Sequence, residues 1–260
     1  MMNTQILLDA YDAQMRCTPP PGVAHEFDGP LLRLDLGFRG FVSGPRDLGG
    51  LQGPEVDELI VRQRDFFAAR GQAVEWKVRG HDTPVDLTDR LRAAGFVPEA
   101  QETVLVAPVA ELAMGTPALP DGVTLRRVTA DADLHRVAAL ETAIWETDLS
   151  AIADDLIGRV SRTPDEIAVL VAEAGGEVVS AAWLSFRPGI EFGALTGGST
   201  LAEWRGKGIY RALVAARAEL AAARGVRYLH VDASDDSAPV LRRLGFRAVT
   251  TTTPYVWSPA

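Results

Sequence analysis

The chain has 260 residues, of which 47% are hydrophobic and 23% charged, with 35 acidic residues against 26 lysines and arginines. This length corresponds to one large domain or two small ones, and the hydrophobic fraction excludes a disordered chain. The net charge of −9, without clustered basic residues, argues against a nucleic acid or an anionic membrane as a partner and suits a cationic or amine substrate better.

The first residues of the sequence carry no export signal. Asp9 and Asp12 interrupt the apolar stretch that a signal peptide would need. No stretch of the sequence approaches the ~18 apolar residues of a membrane-spanning helix. The single cysteine, Cys17, has no second cysteine with which to form a disulfide inside the chain. We therefore predict a protein of the reducing cytoplasm.

Two parts of the chain end with the same order of features. Each has an Arg-Gly pair, a predicted strand, a predicted helix and a Gly-Phe pair, once at 70–96 and once at 224–246. The predicted elements of the first part are a strand at 73–79, a helix at 87–94 and a strand at 103–107. This recurrence indicates an internal duplication, although the same order also arises by chance in α/β proteins.

A segment rich in proline and glycine separates the two parts. Residues 114–122 hold two prolines and two glycines between periodic stretches, which is typical of a linker. We therefore predict a first domain at 1–115, a linker at 116–122 and a second domain at 123–260.

The elements of the second part follow from its hydrophobic pattern. Leu134, Val137 and Leu140 recur at helical spacing, and a pair of glycines joins two β-rich stretches as a hairpin. The predicted elements are, in chain order, strand 123–129, helices 131–145 and 150–162, strands 167–173, 178–186 and 192–200, helix 209–223, strand 228–233, helix 238–244 and strand 249–257. This order predicts a mixed α/β sheet in which the long helix makes one parallel crossover.

The most informative stretch is the glycine-rich turn between a predicted strand and the long helix. Gly206 and Gly208 allow backbone N–H groups to turn outward. The first turn of the helix adds unpaired N–H groups and the positive end of the helix dipole, so the turn suits a phosphate. Three basic residues add positive charge around it: Arg205, Lys207 and Arg211. The spacing is neither that of a Walker loop nor that of the dinucleotide fingerprint.

Residues 205–210 follow the pattern Gln/Arg-x-x-Gly-x-Gly/Ala, with Tyr210 in place of the usual final Gly or Ala. A Leu-Gly-Phe ending at 244–246 follows a predicted strand and helix. With these motifs, the second part resembles the GNAT superfamily of acyl-CoA-dependent N-acetyltransferases. The resemblance implies a tandem GNAT-like α/β fold with splayed central strands, and acetyl-CoA as the co-substrate.

The resemblance also implies where acetyl-CoA binds. The pantetheine arm would pair with a strand edge like an added strand, an amide near Gly198 would polarise the thioester carbonyl, and the pyrophosphate would occupy the glycine turn. The ten residues implied in this binding are Gly198, Ser199, Thr200, Arg205, Gly206, Lys207, Gly208, Ile209, Tyr210 and Arg211.

The proton donor departs from the family pattern. The family often places a tyrosine on the last helix to protonate the leaving thiolate, and the matching position here is Leu241. Ser234 and Ser237 are then the candidate donors or anchors of the thiol, unless water suffices. The alternative is that both serines only cap the last helix.

The general base is a choice among carboxylates, because a substrate ammonium must lose a proton before it attacks. Asp232 ends the predicted strand at 228–233, and Glu191 precedes the strand at 192–200. Glu146 is a further candidate, and each of the three acids is alternatively a solvated surface residue. The four histidines show no metal-ligand spacing, so we expect no metal.

The first part keeps glycines at the corresponding turn, within residues 46–55, but follows them with Pro54 and Glu55. Acidic residues there suit the helix dipole and would repel a pyrophosphate. The first part is therefore predicted to be a degenerate GNAT-like domain without CoA binding.

The resulting prediction is an enzyme that transfers an acetyl group to an amine of a small molecule or a peptide. The alternative is a non-catalytic acyl-CoA-binding sensor or interaction protein, which Leu241 and Tyr210 motivate. We favour a monomer over a homodimer, because the duplicated part of the chain already supplies the second face that a second subunit would otherwise contribute.

Overall fold

The computed structural model describes residues 3–37, 39–112 and 118–259. Its helices are α1 (Thr4–Met15), α2 (Pro54–Ala68), α3 (Leu87–Ala93), α4 (Val109–Leu112), α5 (Asp131–Trp145), α6 (Ala151–Arg162), α7 (Ile209–Ala223) and α8 (Ala238–Arg243). Its strands are β1 (Ala24–Asp28), β2 (Leu31–Asp35), β3 (Gly40–Ser43), β4 (Val74–Arg79), β5 (Val97–Pro98), β6 (Glu102–Pro108), β7 (Val123–Val128), β8 (Ile167–Ala174), β9 (Glu177–Phe186), β10 (Phe192–Thr200), β11 (Tyr228–Ala233) and β12 (Arg247–Trp257). Short 3-10 helices lie at Leu48–Gly50 and Ala202–Trp204.

The predicted elements of the second part are confirmed. Helices α5 and α7 and strands β10 and β11 have the predicted bounds, and the other elements differ by one to a few residues at their ends. Helices α1 and α4 and strands β1 to β3 and β5 had no counterpart in the prediction. Residues 116 and 117 of the predicted linker lie outside the described residues.

The chain divides into two compact units that do not follow sequence order. The first consists of Met1–Leu105, Asp232–Arg242 and Arg247–Ala260, and the second of Val106–Val231 and Arg243–Phe246. The boundaries between the units fall inside β6, β11 and α8 and directly before β12. Strand β12, which follows the predicted linker in sequence, therefore belongs to the first unit.

The sheet of the first unit runs β1-β2-β3-β4-β12. Its pairs are antiparallel except β3 and β4, which are parallel and are joined by α2. The core under this sheet contains Trp76 of β4, Ile60 and Phe67 of α2, Leu91 of α3 and Tyr255 of β12. The N-terminal half of the chain thus obtains a strand and a core residue from the last residues of the sequence.

The sheet of the second unit runs β7-β8-β9-β10-β11. The first four strands are antiparallel, and β10 and β11 are parallel, with α7 as the crossover. Strand β8 is buried on both faces because successive side chains point to opposite sides. Val169 and Val171 pack in the cluster that contains α5 and α6, whereas Ala168 and Leu170 pack with α7. Both units therefore repeat an antiparallel run that ends in a parallel crossover.

Candidate active site

Strands β10 and β11 part from each other within the second unit. Their parallel ladder consists of three pairs, the last of which is Ala194 with His230. From Leu195 to Thr200, β10 has no partner residue on β11 among the described pairs. An unpaired strand edge presents free N–H and C=O groups to an extended ligand. The splay expected from the resemblance is therefore present.

A β-bulge lies on the unpaired part of β10. Gly197 is paired with Ala182 and Ser199 with Ala181, so Gly198 is the extra residue on this strand. Gly198 has φ +97°, a conformation that glycine adopts without the cost of a Cβ. Gly198 has no register partner on β9 or β11 among the described pairs, and the resemblance assigns its amide to the thioester oxygen.

The glycine turn lies between β10 and α7 and is open. A Cβ placed on Gly206 would meet no heavy atom within 4 Å, and one on Gly208 would meet only the carbonyl oxygen of Ala118 at 3.9 Å, counting the described residues. Gly208 is the N-cap of α7 with φ 87°, and no side chain caps this helix end. The Cβ positions of both glycines are therefore open, and no described side chain caps the first-turn amides of α7.

The tyrosine that departs from the family pattern faces the strand rather than the glycine turn. A Cβ on Gly198 would lie 2.7 Å from Cε2 of Tyr210, so the ring of Tyr210 packs on the bulge. Burial raises the pKa of the Tyr210 hydroxyl, although the Arg217 guanidinium lowers it. Tyr210 thus shapes the strand edge and leaves the turn open.

The basic residues of the turn have different surroundings. The Arg205 Nε donates to the carbonyl oxygen of Thr200 at 3.0 Å, which fixes the turn to the end of β10. The Lys207 ammonium lies 4.6 Å from the centre of the Trp204 ring, and Arg211 is exposed on the first turn of α7. Lys207 and Arg211 are consequently the cations available to an anion at this turn.

The end of β10 is fixed by hydroxyl groups. Ser180 of β9 donates to the carbonyl oxygen of Ser199 at 2.7 Å and lies 2.8 Å from the Thr200 hydroxyl. The side chain of Thr200 is buried, whereas Ser199 is half-buried and turns its own hydroxyl to another partner. Of the two hydroxyl residues of β10 implied in CoA binding, Thr200 is thus buried against β9, whereas Ser199 is half-buried.

That partner is Glu141, a residue that the sequence reasoning missed. The Ser199 hydroxyl donates to Oε2 of Glu141 at 2.7 Å, and Nε1 of Trp145 donates to the same oxygen at 3.0 Å. Burial raises the pKa of the Glu141 carboxyl, while the hydrogen bonds from Ser199 and Trp145 lower it. The signal was available in the sequence, because Glu141 follows Leu134 and Val137 on the apolar stripe of α5, where an acid is rare.

A buried arginine lies beneath the bulge. Arg217 of α7 is 1% exposed and donates to the carbonyl oxygens of Leu213 at 3.1 Å and of Trp183 and Thr196 at 3.3 Å. Burial lowers the pKa of its guanidinium to about 10, although Tyr210 raises it. The guanidinium therefore links α7 to the two strands from which the bulge is built.

Two of the three candidate bases, Asp232 and Glu191, each contact a cationic side chain of their own unit, and the third, Glu146, is exposed at the end of α5. Asp232 belongs to the first unit, and its Oδ2 accepts a hydrogen bond from Nζ of Lys77 at 2.5 Å. Glu191 precedes the paired end of β10 and forms a salt bridge with Arg227 at 2.8 Å. At about 3.3 Å per residue, Glu191 is on the order of 20 Å from the bulge.

The predicted proton donors also lie in the first unit. The hydroxyls of Ser234 and Ser237 are 3.3 Å apart, and the carbonyl oxygen of Ser234 accepts the backbone N–H groups of Ser237 and Ala238. These backbone hydrogen bonds form the turn that leads into α8, and both the donor role and the capping role of the two serines stay predictions. Leu241 on α8 is fully buried, and a leucine donates no proton.

The corresponding turn of the first unit differs in charge and in strand pairing. Helix α2 begins with Pro54, and Glu55 and Asp57 lie in its first turn. The parallel ladder covers three of the four residues of β3, from Gly40 to Val42, so no long unpaired strand edge follows it. These features accord with a unit that holds no pyrophosphate.

The described residues form neither a metal-binding cluster nor a membrane-spanning helix. No group of three or more His, Cys, Asp or Glu residues in this part of the chain is placed to hold a metal ion. No helix among the same residues is long and apolar enough to cross a membrane.

Comparison with known proteins identifies a family domain in the second part of the chain. Residues 134–246 match the model of the acetyltransferase (GNAT) family. A comparison with curated protein sequences gives no match. The matched range includes α5 with Glu141, the unpaired part of β10 and the glycine turn.

Solved structures show the same fold. A GCN5-related N-acetyltransferase from Kribbella flavida is 20% identical with a TM-score of 0.70, covering 100% of this chain and 97% of that chain. A tandem GNAT protein from the clavulanic acid biosynthesis pathway is 17% identical with a TM-score of 0.65, covering 98% and 94%. A GCN5-related N-acetyltransferase from Sphaerobacter thermophilus is 17% identical with a TM-score of 0.64, covering 88% and 76%. These likenesses show that the chain has a tandem GNAT fold.

Proposed function

We propose that this chain, which carries a GNAT acetyltransferase domain at residues 134–246, transfers an acetyl group from acetyl-CoA to an amine of a small molecule or a peptide. The observation that carries the proposal is the open glycine turn, Gly206–Gly208, beside the unpaired edge of β10. The two features lie in one compact unit and supply the two kinds of contact that an acyl-CoA needs.

The diphosphate would bind the amides of the glycine turn and of the first turn of α7, with Lys207 and Arg211 as counter-charges. The turn fits the group, since no described atom lies within 4 Å of a Cβ on Gly206. The amide groups of the pantetheine arm would pair with β10 between Leu195 and Thr200. The acetyl thioester supplies the electrophilic carbonyl carbon, and the amide of Gly198 would stabilise charge on its oxygen.

An amine acceptor suits the surface beside the bulge. Glu141 contributes a buried carboxylate there, and the Trp145 indole, which is 62% exposed, adds an aromatic face that attracts cations. The net charge of the chain has the sign that attracts a cation. An ammonium therefore finds complementary charge next to the position of the thioester.

A second candidate function is acyl-CoA binding without turnover. The observation in its favour is Leu241, a buried leucine at the position where the family often has a proton-donating tyrosine. A general acid is worth about 10²–10⁴ in rate, so its loss weakens catalysis more than it weakens binding.

Titration calorimetry with acetyl-CoA, followed by a thiol-release assay on a panel of primary amines, tests the proposal. We expect binding of acetyl-CoA and release of free thiol that depends on the amine. Binding without thiol release on any amine would support the sensor function, and absence of binding would contradict both functions.

A further inference from the structure

The buried face of α5 carries one acidic side chain. Glu141 is 3% exposed, and it lies one turn after Val137 in a helix that packs against β9 and β10. Burial of a carboxylate among apolar neighbours costs folding free energy unless its oxygens are hydrogen-bonded. A carboxylate retained at such a place is therefore a candidate for a chemical role.

The two oxygens of Glu141 are in different situations. Oε2 accepts hydrogen bonds from the Ser199 hydroxyl and the Trp145 indole. Oε1 is buried and has no hydrogen-bond partner in the described part of the chain. The carboxylate therefore has unused acceptor capacity while Ser199 holds it at the unpaired edge of β10.

Ser199 connects this buried carboxylate to the ligand edge. It follows the bulge residue Gly198 directly, and its side chain is half-buried, whereas Glu141 is almost inaccessible. A hydroxyl both accepts and donates a hydrogen bond, so it passes a proton from one partner to the other. A group that approaches Gly198 meets the Ser199 hydroxyl before it meets Glu141.

In the described part of the chain, the Glu141 carboxylate forms no ion pair. The groups that act on its pKa are the Ser199 hydroxyl from β10 and the Trp145 indole from its own helix, together with burial. The apolar residues of α5 pack in a cluster with apolar residues of α6, β7, β8 and β9. This environment differs from that of Asp232 and Glu191, each of which faces a cationic partner.

We propose that Glu141 is the proton acceptor of the acyl transfer and receives the proton through the Ser199 hydroxyl. Ser199 touches the acceptor nitrogen and is the catalytic residue of the pair, while Glu141 acts through it. The inference rests on the proposed N-acetyltransferase function and adds a residue pair to it.

The reactants of the proposed step are a primary ammonium and an acetyl thioester. The nitrogen transfers one proton to Oγ of Ser199, whose own proton passes to Oε2 of Glu141. The freed lone pair forms the N–C bond to the carbonyl carbon, and the C–S bond breaks with its electron pair on sulfur. The second nitrogen proton passes to water, which leaves a neutral amide, and the thiolate takes a proton from water to give the free thiol.

The first test observes Glu141 in the free protein, without any acyl donor. The Trp145 Nε1–H donates to the carboxylate, so its ¹H–¹⁵N resonance reports the protonation of Glu141. The resonance is assigned by its absence from Trp145→Phe. We expect its chemical shift to titrate at a pH above the ordinary range of a glutamate. The titration should disappear in Glu141→Gln. An indole resonance that is unchanged from pH 4 to pH 8 would overturn the proposal.

The second test measures kcat against pH at saturating amine and acetyl-CoA. We expect Glu141→Gln and Ser199→Ala each to lower kcat about 100-fold or more, and Ser199→Thr, which keeps the hydroxyl, to stay within about tenfold of the wild type. Trp145→Phe removes a hydrogen bond that lowers the pKa of Glu141, so the acid limb of kcat should move to higher pH. A merely structural role would not move that limb.

Ser185→Ala is the matched control, because Ser185 of β9 also holds a hydrogen-bonded hydroxyl, here to Arg159 at 2.6 Å. We expect this variant to keep the wild-type kcat. If the wild type acetylates amines and the kcat of Glu141→Gln lies within threefold of the wild-type kcat, the role of Glu141 is overturned and the proposed function is not. A wild type that transfers no acetyl group to any amine overturns the proposed function together with this inference.

Discussion

The carboxylate of Glu141 has a stability cost that a measurement can isolate. Burial raises its pKa, so between the ordinary pKa and the raised value the folded state binds more protons than the unfolded state. The unfolding free energy then falls as pH rises through this window and stays low above it. The charged Glu141 carboxylate therefore lowers the unfolding free energy of the protein above this pH window.

Glu141→Gln should raise the Tm at pH 7.5, because the amide accepts the same two hydrogen bonds without a charge. We expect a gain of a few degrees, since about 1 kcal/mol shifts Tm by roughly 2–4 °C in a domain of this size. The gain should vanish near pH 4, where both states of the wild type bind the proton. Thermal melts of both proteins across this pH range measure it, and a lower Tm for the variant at pH 7.5 would contradict this reading.

Arg217 gives a second prediction at the residue scale. Its guanidinium is buried and donates to three carbonyl oxygens, so Arg217→Ala leaves a cavity as well as unsatisfied acceptors. We expect Arg217→Ala to lower the unfolding free energy by about 3 kcal/mol. Arg217→Met fills most of the volume and buries no charge, so it should lose clearly less. Urea denaturation distinguishes them, and equal losses for the two variants would rule out the cavity contribution.

The sequence predicts residue roles where they depend on local spacing and fails where they depend on distant contacts. Gly206 and Gly208 are recognisable because the turn and the helix that use them adjoin them. The partnership of Glu141 with Ser199 joins α5 to β10 across 58 positions of the sequence, and no local pattern contains it. The salt bridge from Lys77 to Asp232 spans 155 positions and is equally invisible.

At the scale of elements, the bulge of β10 and the first turn of α7 shape each other. Gly198→Ala adds a Cβ at φ +97° and 2.7 Å from Tyr210. We expect a loss of about 2–3 kcal/mol in unfolding free energy, of which about 1–2 kcal/mol comes from the backbone conformation. In a Tyr210→Ala background the same substitution should cost only the backbone part.

Gly176→Ala is the control for this pair, because Gly176 has φ +86° and open space around its Cβ position. It should cost the backbone part in both backgrounds. Denaturant titration is done on six proteins: the wild type and Tyr210→Ala, each alone, with Gly198→Ala and with Gly176→Ala. The unfolding free energies give the coupling between each glycine substitution and Tyr210→Ala. Strict additivity of Gly198→Ala and Tyr210→Ala would show that the ring does not press on the bulge.

The elements of the second part are predictable because each shows its own period. Apolar residues at helical spacing mark α5 and α7. The parallel crossover through α7 follows from the chain order of strand, helix and strand. Strands β1 to β3 lack such a signal: β2 has four consecutive buried residues, and β3 is four residues long. The splay of β10 and β11 was predicted only from the family resemblance, because a single sequence carries no local pattern for backbone pairing.

At the scale of the whole molecule, the path of the chain limits how it can be divided. Strand β12 pairs with β4 over six residues, from Thr252 with Arg79 to Trp257 with Val74. Tyr255 of β12 lies in the core of the first unit. The predicted domain of residues 1–115 is therefore short of one strand and part of its core.

We expect a fragment of residues 1–115 to show no cooperative thermal transition, because β4 becomes an unpaired edge. A fragment in which a flexible linker joins residues 247–260 to the same 115 residues should regain one. Circular dichroism melts of the two fragments measure the difference. A cooperative transition in the shorter fragment would show that β12 is dispensable.

Sequence order could not reveal that β12 belongs to the first unit. The Gly-Phe pair that precedes β12 is part of the repeat in the second part, so the sequence assigns β12 to that part. The contact that assigns β12 to the first unit lies between residues more than 170 positions apart. The duplication itself was visible from the order of local features, which both units preserve as an antiparallel run followed by a parallel crossover.

The most direct test of the central claim is the affinity for CoA of two variants that differ only in where a glutamate is placed. Gly208→Glu and Gly176→Glu replace glycines with φ +87° and +86°, so both carry the same backbone cost, but only the first puts a negative charge in the glycine turn. Calorimetric titration should show CoA bound at least about 30-fold more weakly by Gly208→Glu, a loss of ~2 kcal/mol, and bound as tightly as the wild type by Gly176→Glu. Equal affinity of Gly208→Glu and the wild type would contradict the claim that this turn holds the diphosphate.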